Sequence, residues 1–173
     1  MKNLSIVAKV ALLLLIPLLS VAFYTVQNVR SSYLEWQSLA TTESLMELAI
    51  GMGNLTHDLQ IERGSTAGFI QSRGNKFAAD LPGYRANTDQ QLKALQAIYQ
   101  QTRQQGIPPQ LQQSIEATFT ALQQLPETRS AASAFGIPAA EASAYFTRTI
   151  ATLLGNIPAI TEQTSHLTLI KRM

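Results

Sequence analysis

The 173-residue sequence contains no cysteine. That absence excludes a disulfide framework, a thiolate metal cluster, a cysteine nucleophile and c-type haem attachment. It also removes any signal about redox compartment. Charge is scarce as well: Asp, Glu, Lys and Arg make up 14% of the chain, and the formal net charge of +2 misleads until it is placed along the sequence. Lys2, Lys9 and Arg30 flank an N-terminal apolar run, and beyond Arg30 ten basic residues are set against eleven acidic ones, spaced singly. A domain so close to neutral lacks the electrostatic footprint that phosphate-backbone binding requires, so nucleic acid is not an expected partner. The length leaves no room for two large domains; it suits one membrane span followed by a domain of about 140 residues.

Catalytic and metal-binding constellations are missing too. His57 and His166 are far apart, and neither has a partner at His-x-x-x-His or Glu-x-x-His spacing, whereas a metal site needs at least three converging ligands. There is no Gly-x-Ser-x-Gly elbow and no glycine-rich phosphate loop after a strand. No enzyme activity, metal or cofactor is expected.

What is present begins with the apolar run. From Val10 to Val29 no residue is charged, a length that matches a hydrocarbon core at the helical rise. Lys2 and Lys9 precede it while Arg30 and Glu35 follow it, so the positive excess places the N-terminus in the cytoplasm and exports the rest. A cleaved signal peptide with Ser20-Val21-Ala22 as its cleavage site is the alternative. The run continues through Phe23, Tyr24 and Val26, with aromatics where an interfacial belt would sit, which favours an uncleaved anchor. The expected layout is a cytoplasmic N-terminus at 1–9, a transmembrane anchor at 10–29 and an extracytoplasmic helical domain at 30–173.

Helical periodicity dominates that domain. Leu45, Leu48, Met52, Leu55, Leu59, Glu62 and Thr66 alternate by threes and fours. After Gly74-Asn75 a second stripe carries Phe77, Leu81, Tyr84, Thr88, Gln91, Leu95 and Ile98. Gly106-Ile107-Pro108-Pro109 marks the start of a third helix bearing Leu111, Ile115, Phe119, Leu122 and Leu125, which stops at Pro126; Gly136-Ile137-Pro138 starts a fourth with Ala142, Phe146, Ile150, Leu153 and Ile157, which Pro158 should kink or interrupt. No stretch alternates in the manner of a strand. The expected fold is all-α: an N-terminal transmembrane helix followed by an antiparallel four-helix bundle. The Gln pairs Gln90-Gln91, Gln100-Gln101, Gln104-Gln105, Gln112-Gln113 and Gln123-Gln124 read as neutral, solvated helix faces.

One stretch stands apart. Gly51, Gly53, Gly64 and Gly68 lie inside helical pattern, where glycine costs about 1 kcal/mol relative to alanine, and close approach of a helix or small ligand is the usual reason. Arg63, four residues after Leu59, falls on or beside the apolar stripe and so must find an anion. Its planar fork suits a planar oxyanion, with Gly64, Ser65, Ala67 and Gly68 leaving room around it. The alternative is an internal carboxylate, such as Asp80, Asp89 or Glu62 of a neighbouring chain, with the small residues serving only tight packing.

The run His57-Asp58-Leu59-Gln60-Ile61-Glu62-Arg63-Gly64-Ser65-Thr66-Ala67-Gly68-Phe69, then Ser72-Arg73-Gly74-Asn75-Lys76-Phe77, then Tyr84-Arg85-Ala86-Asn87-Thr88-Asp89, resembles the nitrate- and nitrite-sensing (NIT) domain, over roughly residues 45–170. The resemblance implies an all-helical extracytoplasmic sensor of the kind found in chemoreceptors, here the N-terminal part of a methyl-accepting chemotaxis receptor in a bacterial inner membrane. It further implies arginines coordinating nitrate or nitrite between helices, with Arg63, Arg85, Gly64 and Ser65 as the corresponding ligand-binding positions. Arg85 has an alternative partner in Asp89 at i+4. Thr66 replaces the family's serine or alanine, and Pro82-Gly83 should kink or shift the second helix. Such domains consist of two related helical halves, and this chain ends at Lys171-Arg172-Met173 near the end of the first, so an incomplete domain is expected. The partners implied are a small inorganic anion, the membrane through one span, and a second copy or a receptor. The other reading is a helical interaction module that dimerises without binding a ligand.

Overall fold

The computed structural model describes residues 6–170. Lys2, which enters the topology expectation, and Lys171 to Met173 lie outside the described residues, as do the side chains of Lys9, Glu35 and His166. All regular structure among the described residues is helical: α1 (Ile6–Gln71), α2 (Leu81–Gln104), α3 (Pro109–Leu122), α4 (Leu125–Ser133) and α5 (Ala139–Ile170). The chain divides into two compact units, Met1–Ala40 and Thr41–Met173.

In the first unit, Leu13–Tyr33 is long and apolar enough to cross a membrane. Its described large side chains, Leu14, Leu18, Phe23 and Val26 among them, are exposed. Pro17 is accommodated within the helix.

The second unit is a helical bundle. The α1 stripe is its spine: Leu45, Leu48, Met52, Leu55 and Leu59 are all at most 1% exposed. Burying each such side chain contributes roughly 1.5–3 kcal/mol, so the stripe pins one face of α1 to its neighbours. Leu95 and Tyr99 of α2, Leu111, Ile115 and Leu122 of α3, and Phe146, Ile150, Leu153 and Ile160 of α5 complete the core. Gly51 lets α2 come close, since a methyl group there would lie 3.1 Å from Leu95 Cδ1. Polar ties cross the helices as well: Thr102 Oγ1 donates to Ser44 O at 3.3 Å, and Asn156 Nδ2 donates to Thr118 Oγ1 at 2.9 Å.

The helix ends explain three departures from the sequence reading. First, α1 closes in a Schellman motif, with Gly74 N–H donating to Phe69 O and Arg73 N–H to Ile70 O. Arg73 (φ 51°) and Gly74 (φ +82°) are both left-handed there. Phe77, also left-handed at φ 64°, therefore belongs to the turn and not to the second helix. That helix starts at Leu81, with Pro82 in its first turn, so the proline shifts the start and does not kink the interior. Second, Pro126 does not merely stop the third helix. It lies in the first turn of a separate short helix, α4, so Leu125 opens that element and the unit contains one more helix than the four expected. Third, α5 runs through Pro158 without interruption.

α4 repeats the cap of α1. Gly136 N–H donates to Ala131 O and Phe135 N–H to Ala132 O, with Phe135 at φ 54°. The two capped ends meet in a stacked Phe69–Phe135 pair with ring centroids 5.2 Å apart.

Candidate functional site

The bundle buries a carboxylate. Glu62 follows Leu59 by one helical step of three on the α1 stripe, and it is 0% exposed. A buried ionised carboxylate requires a hydrogen-bonded cation. Arg129 of α4 supplies it in a two-pronged pairing, Nε to Oε1 at 2.7 Å and Nη2 to Oε2 at 2.8 Å. The remaining prong, Nη1, donates to Asp89 Oδ1 of α2 at 2.6 Å. Burial works to lower the Arg129 pKa, but its hydrogen bonds to Glu62 and Asp89, with their negative charges, outweigh it and hold the group above its ordinary value.

Arg85 joins the same cluster from α2. Its Nε lies 4.0 Å from Glu62 Oε1, while Nη1 donates to Ser133 Oγ at 3.0 Å and Nη2 to Arg129 O at 3.3 Å. Arg129 Nη2 returns a bond to Arg85 O at 3.2 Å. Burial lowers the Arg85 pKa, Glu62 opposes that shift, and the neighbouring Arg129 charge adds to it. The helical alternative for Arg85, a pair with Asp89, is not formed; Asp89 accepts from Arg129 instead. Two carboxylates and two guanidiniums thus offset each other across α1, α2 and α4.

Arg63 is the next residue along α1, about 100° round the helix axis from Glu62, and it faces a different neighbour. Its Nη1 donates to Thr147 Oγ1 of α5 at 3.1 Å. Among the described residues it enters no ion pair, so neither Asp80 nor Asp89 is its partner. Three described arginines are not exposed, namely Arg63, Arg85 and Arg129. The last two have a carboxylate within ion-pair distance; Arg63 has none.

The other expected positions separate in the same way. Gly64 is exposed, and a methyl group added there would meet nothing within 4 Å; helix packing does not account for it, and the same holds for Gly53. Ser65 is buried, as is Thr66, whose hydroxyl has no hydrogen-bond partner. Gly68 admits the Phe77 ring, which would lie 2.5 Å from an added methyl group. The structure therefore places Arg85 in the ion-pair cluster and Arg63 with Gly64 outside it. The sequence pattern places Glu62 on the buried stripe but gives no indication that Arg129 is its partner. The available signal was Glu62 itself, a carboxylate on an otherwise apolar stripe. No group of three metal-ligating side chains converges among the described residues.

An all-helical bundle organised around an arginine–carboxylate cluster defines the architectural class. The family model for nitrate and nitrite sensing (NIT) matches residues 54–173. The chain belongs to the NIT family. Among solved structures, that of the NasR transcription antiterminator is similar, at 28% sequence identity and a TM-score of 0.71 over 82% of this chain. The match takes in 38% of the antiterminator, so this chain spans well under half of that protein's length. No curated protein matches the chain. The nitrate- and nitrite-sensing family model points to a sensory role for this domain.

Proposed function

We propose that this chain is a membrane-anchored sensory domain that binds nitrate or nitrite against Arg63, with Gly64 and Ser65 beside the anion and Arg85 buttressing the bundle from the adjoining cluster. The observation that carries the reading is the contrast among the half-buried arginines: Arg85 and Arg129 are balanced by Glu62 and Asp89, whereas Arg63 is tied, among the described residues, only to a neutral hydroxyl. A guanidinium in that setting gains most from a planar oxyanion. Because Arg63 bridges α1 and α5, an anion that pulls on it biases how those helices pack, which is the form a signal along α1 would take.

In this reading Leu13–Tyr33 crosses the inner membrane of a bacterium once, and the second unit lies in the periplasm as the input of a chemotaxis receptor. The exposed apolar span and the preceding Lys2 and Lys9 support that topology. The domain works as a dimer, a state supported by Met46 and Ile50, which are 59% and 64% exposed on the bundle part of α1.

The test is a thermal melt of the full chain in detergent, with sodium nitrate, nitrite or chloride at matched ionic strength. A ligand present at a hundred times its dissociation constant adds about 2.7 kcal/mol, so nitrate or nitrite should raise the midpoint by several degrees over chloride. No such rise with either anion removes the reading.

A further inference from the structure

The hydrogen bonds around Thr147 bear on how Arg63 would present itself. Arg63 Nη1 donates to Thr147 Oγ1 at 3.1 Å, and that hydroxyl donates its own proton to Ser143 O one turn back at 2.8 Å. With its proton committed to a helix carbonyl, the hydroxyl oxygen acts towards Arg63 as an acceptor with a set direction. A guanidinium carries five N–H groups in a rigid plane. Engaging Nη1 therefore fixes where the opposite edge, Nε with Nη2, points. Among the described residues that edge has no protein acceptor, and the adjacent Gly64 carries no side chain to cover it. An edge of two parallel N–H groups matches two oxygens of a planar oxyanion, but it offers no comparable advantage to a spherical halide.

We propose that Thr147 of α5 is a positioning residue for the anion site: it turns the Nε–Nη2 edge of Arg63 towards the ligand and thereby sets the preference for planar oxyanions over halide. This rests on the reading of Arg63 as the anion ligand. It also assigns α5 a part in the site that no sequence motif marks.

The experiment compares the full chain in lipid nanodiscs with Thr147→Val and Thr147→Ser, titrating sodium nitrate, sodium nitrite and sodium chloride by calorimetry and recording each melt without added ligand. Valine keeps the branched shape and removes the hydroxyl; serine keeps the hydroxyl. Loss of one orienting hydrogen bond should weaken nitrate binding about five- to tenfold, leave chloride binding unchanged, and be restored by Thr147→Ser. A role confined to structure would lower the melting midpoint and leave the nitrate-to-chloride affinity ratio where it was, which overturns the proposal. So does a Thr147→Val chain that binds nitrate as the wild type does; in both of those cases a saturable wild type leaves Arg63 standing as ligand. A wild-type chain that binds neither nitrate nor nitrite overturns the reading of Arg63, and the role of Thr147 with it.

Discussion

Replacing Arg129 with methionine would strip Glu62 of its cation while preserving most of the side-chain volume on α4. Glu62 is fully buried and would lose both short bonds, at 2.7 and 2.8 Å. Breaking a buried pair by removing one partner costs about 3–5 kcal/mol. Asp89 would lose its bond as well, but its side chain is 58% exposed, and water replaces a lost partner there at little cost. Arg85 remains 4.0 Å from Glu62; at an effective dielectric of about 20 that attraction is of order 4 kcal/mol before desolvation, which keeps the loss near the lower end. For a unit of this size each kcal/mol moves the midpoint by roughly 3–4 °C, so the melt should fall by about 10 °C. The assay is thermal denaturation followed by circular dichroism, for Arg129→Met, Glu62→Met and the double variant. The double variant should be more stable than Arg129→Met alone, because no uncompensated charge remains buried. A shift of under about 3 °C for Arg129→Met, or a double variant as unstable as the two losses added together, would refute the claim that Arg129 is what allows Glu62 to be buried.

Further outcomes follow from other sites. Gly53→Ala should raise stability by about 0.5–1 kcal/mol, since a methyl group there meets nothing and helix propensity improves; a lower midpoint would mean that face is in close contact with something. Gly64→Ala should stabilise the chain by a similar amount, again about 0.5–1 kcal/mol, yet weaken nitrate binding if the anion approaches α1 beside Arg63, which paired melts and titrations would separate. Burial first, and then the hydrogen bond to Glu116, push the Tyr99 pKa from 10.0 up to about 12. A folded pKa above the unfolded one means that this contribution is complete below pH 10 and is lost as the pH rises towards 12; Tyr99→Phe should flatten that alkaline decline in a pH series of denaturant melts. The sequence has no cysteine, so Gln110→Cys, at an exposed position of α3, should be labelled in whole cells by a membrane-impermeant maleimide if the bundle is periplasmic. Labelling only after lysis would place it on the other side.

The apolar side of the fold was legible because helical burial is a local, periodic property. Leu45, Leu48, Met52, Leu55, Leu59, Glu62 and Thr66 form one stripe in the sequence, and every one of them is buried. Of the Gln pairs that read as solvated faces, 100–101 and 123–124 are exposed, whereas Gln91, Gln105 and Gln112 are half-buried, and Gln105 Oε1 is buried with no hydrogen-bond partner among the described residues. Boundaries were harder to read, because a proline in a first turn and a proline that ends a helix look alike in sequence. Pro126 reads in sequence as a stop and is in the structure a start, which hides α4. With α4 hidden, Arg129 had no structural address, and its pairing with Glu62 across 67 residues is a tertiary choice that no local pattern encodes. Arg63, which reads as a cation beside an apolar stripe, is half-buried and bonded to Thr147. The deeper charge was its neighbour Glu62, and only the direction of α4 and α5 sorts the two: Glu62 turns to Arg129 and Arg63 to Thr147.

The most direct test of the account is a calorimetric titration of nitrate into the full chain in nanodiscs, wild type beside Arg63→Gln and Arg63→Lys. The account predicts saturable binding by the wild type, loss of binding with glutamine, and marked weakening with lysine, which keeps the charge but not the two-pronged edge. Unfolding midpoints without ligand should stay close together, since Arg63 makes no ion pair among the described residues. Nitrate binding that survives in Arg63→Gln would contradict the central claim and move the anion site away from α1.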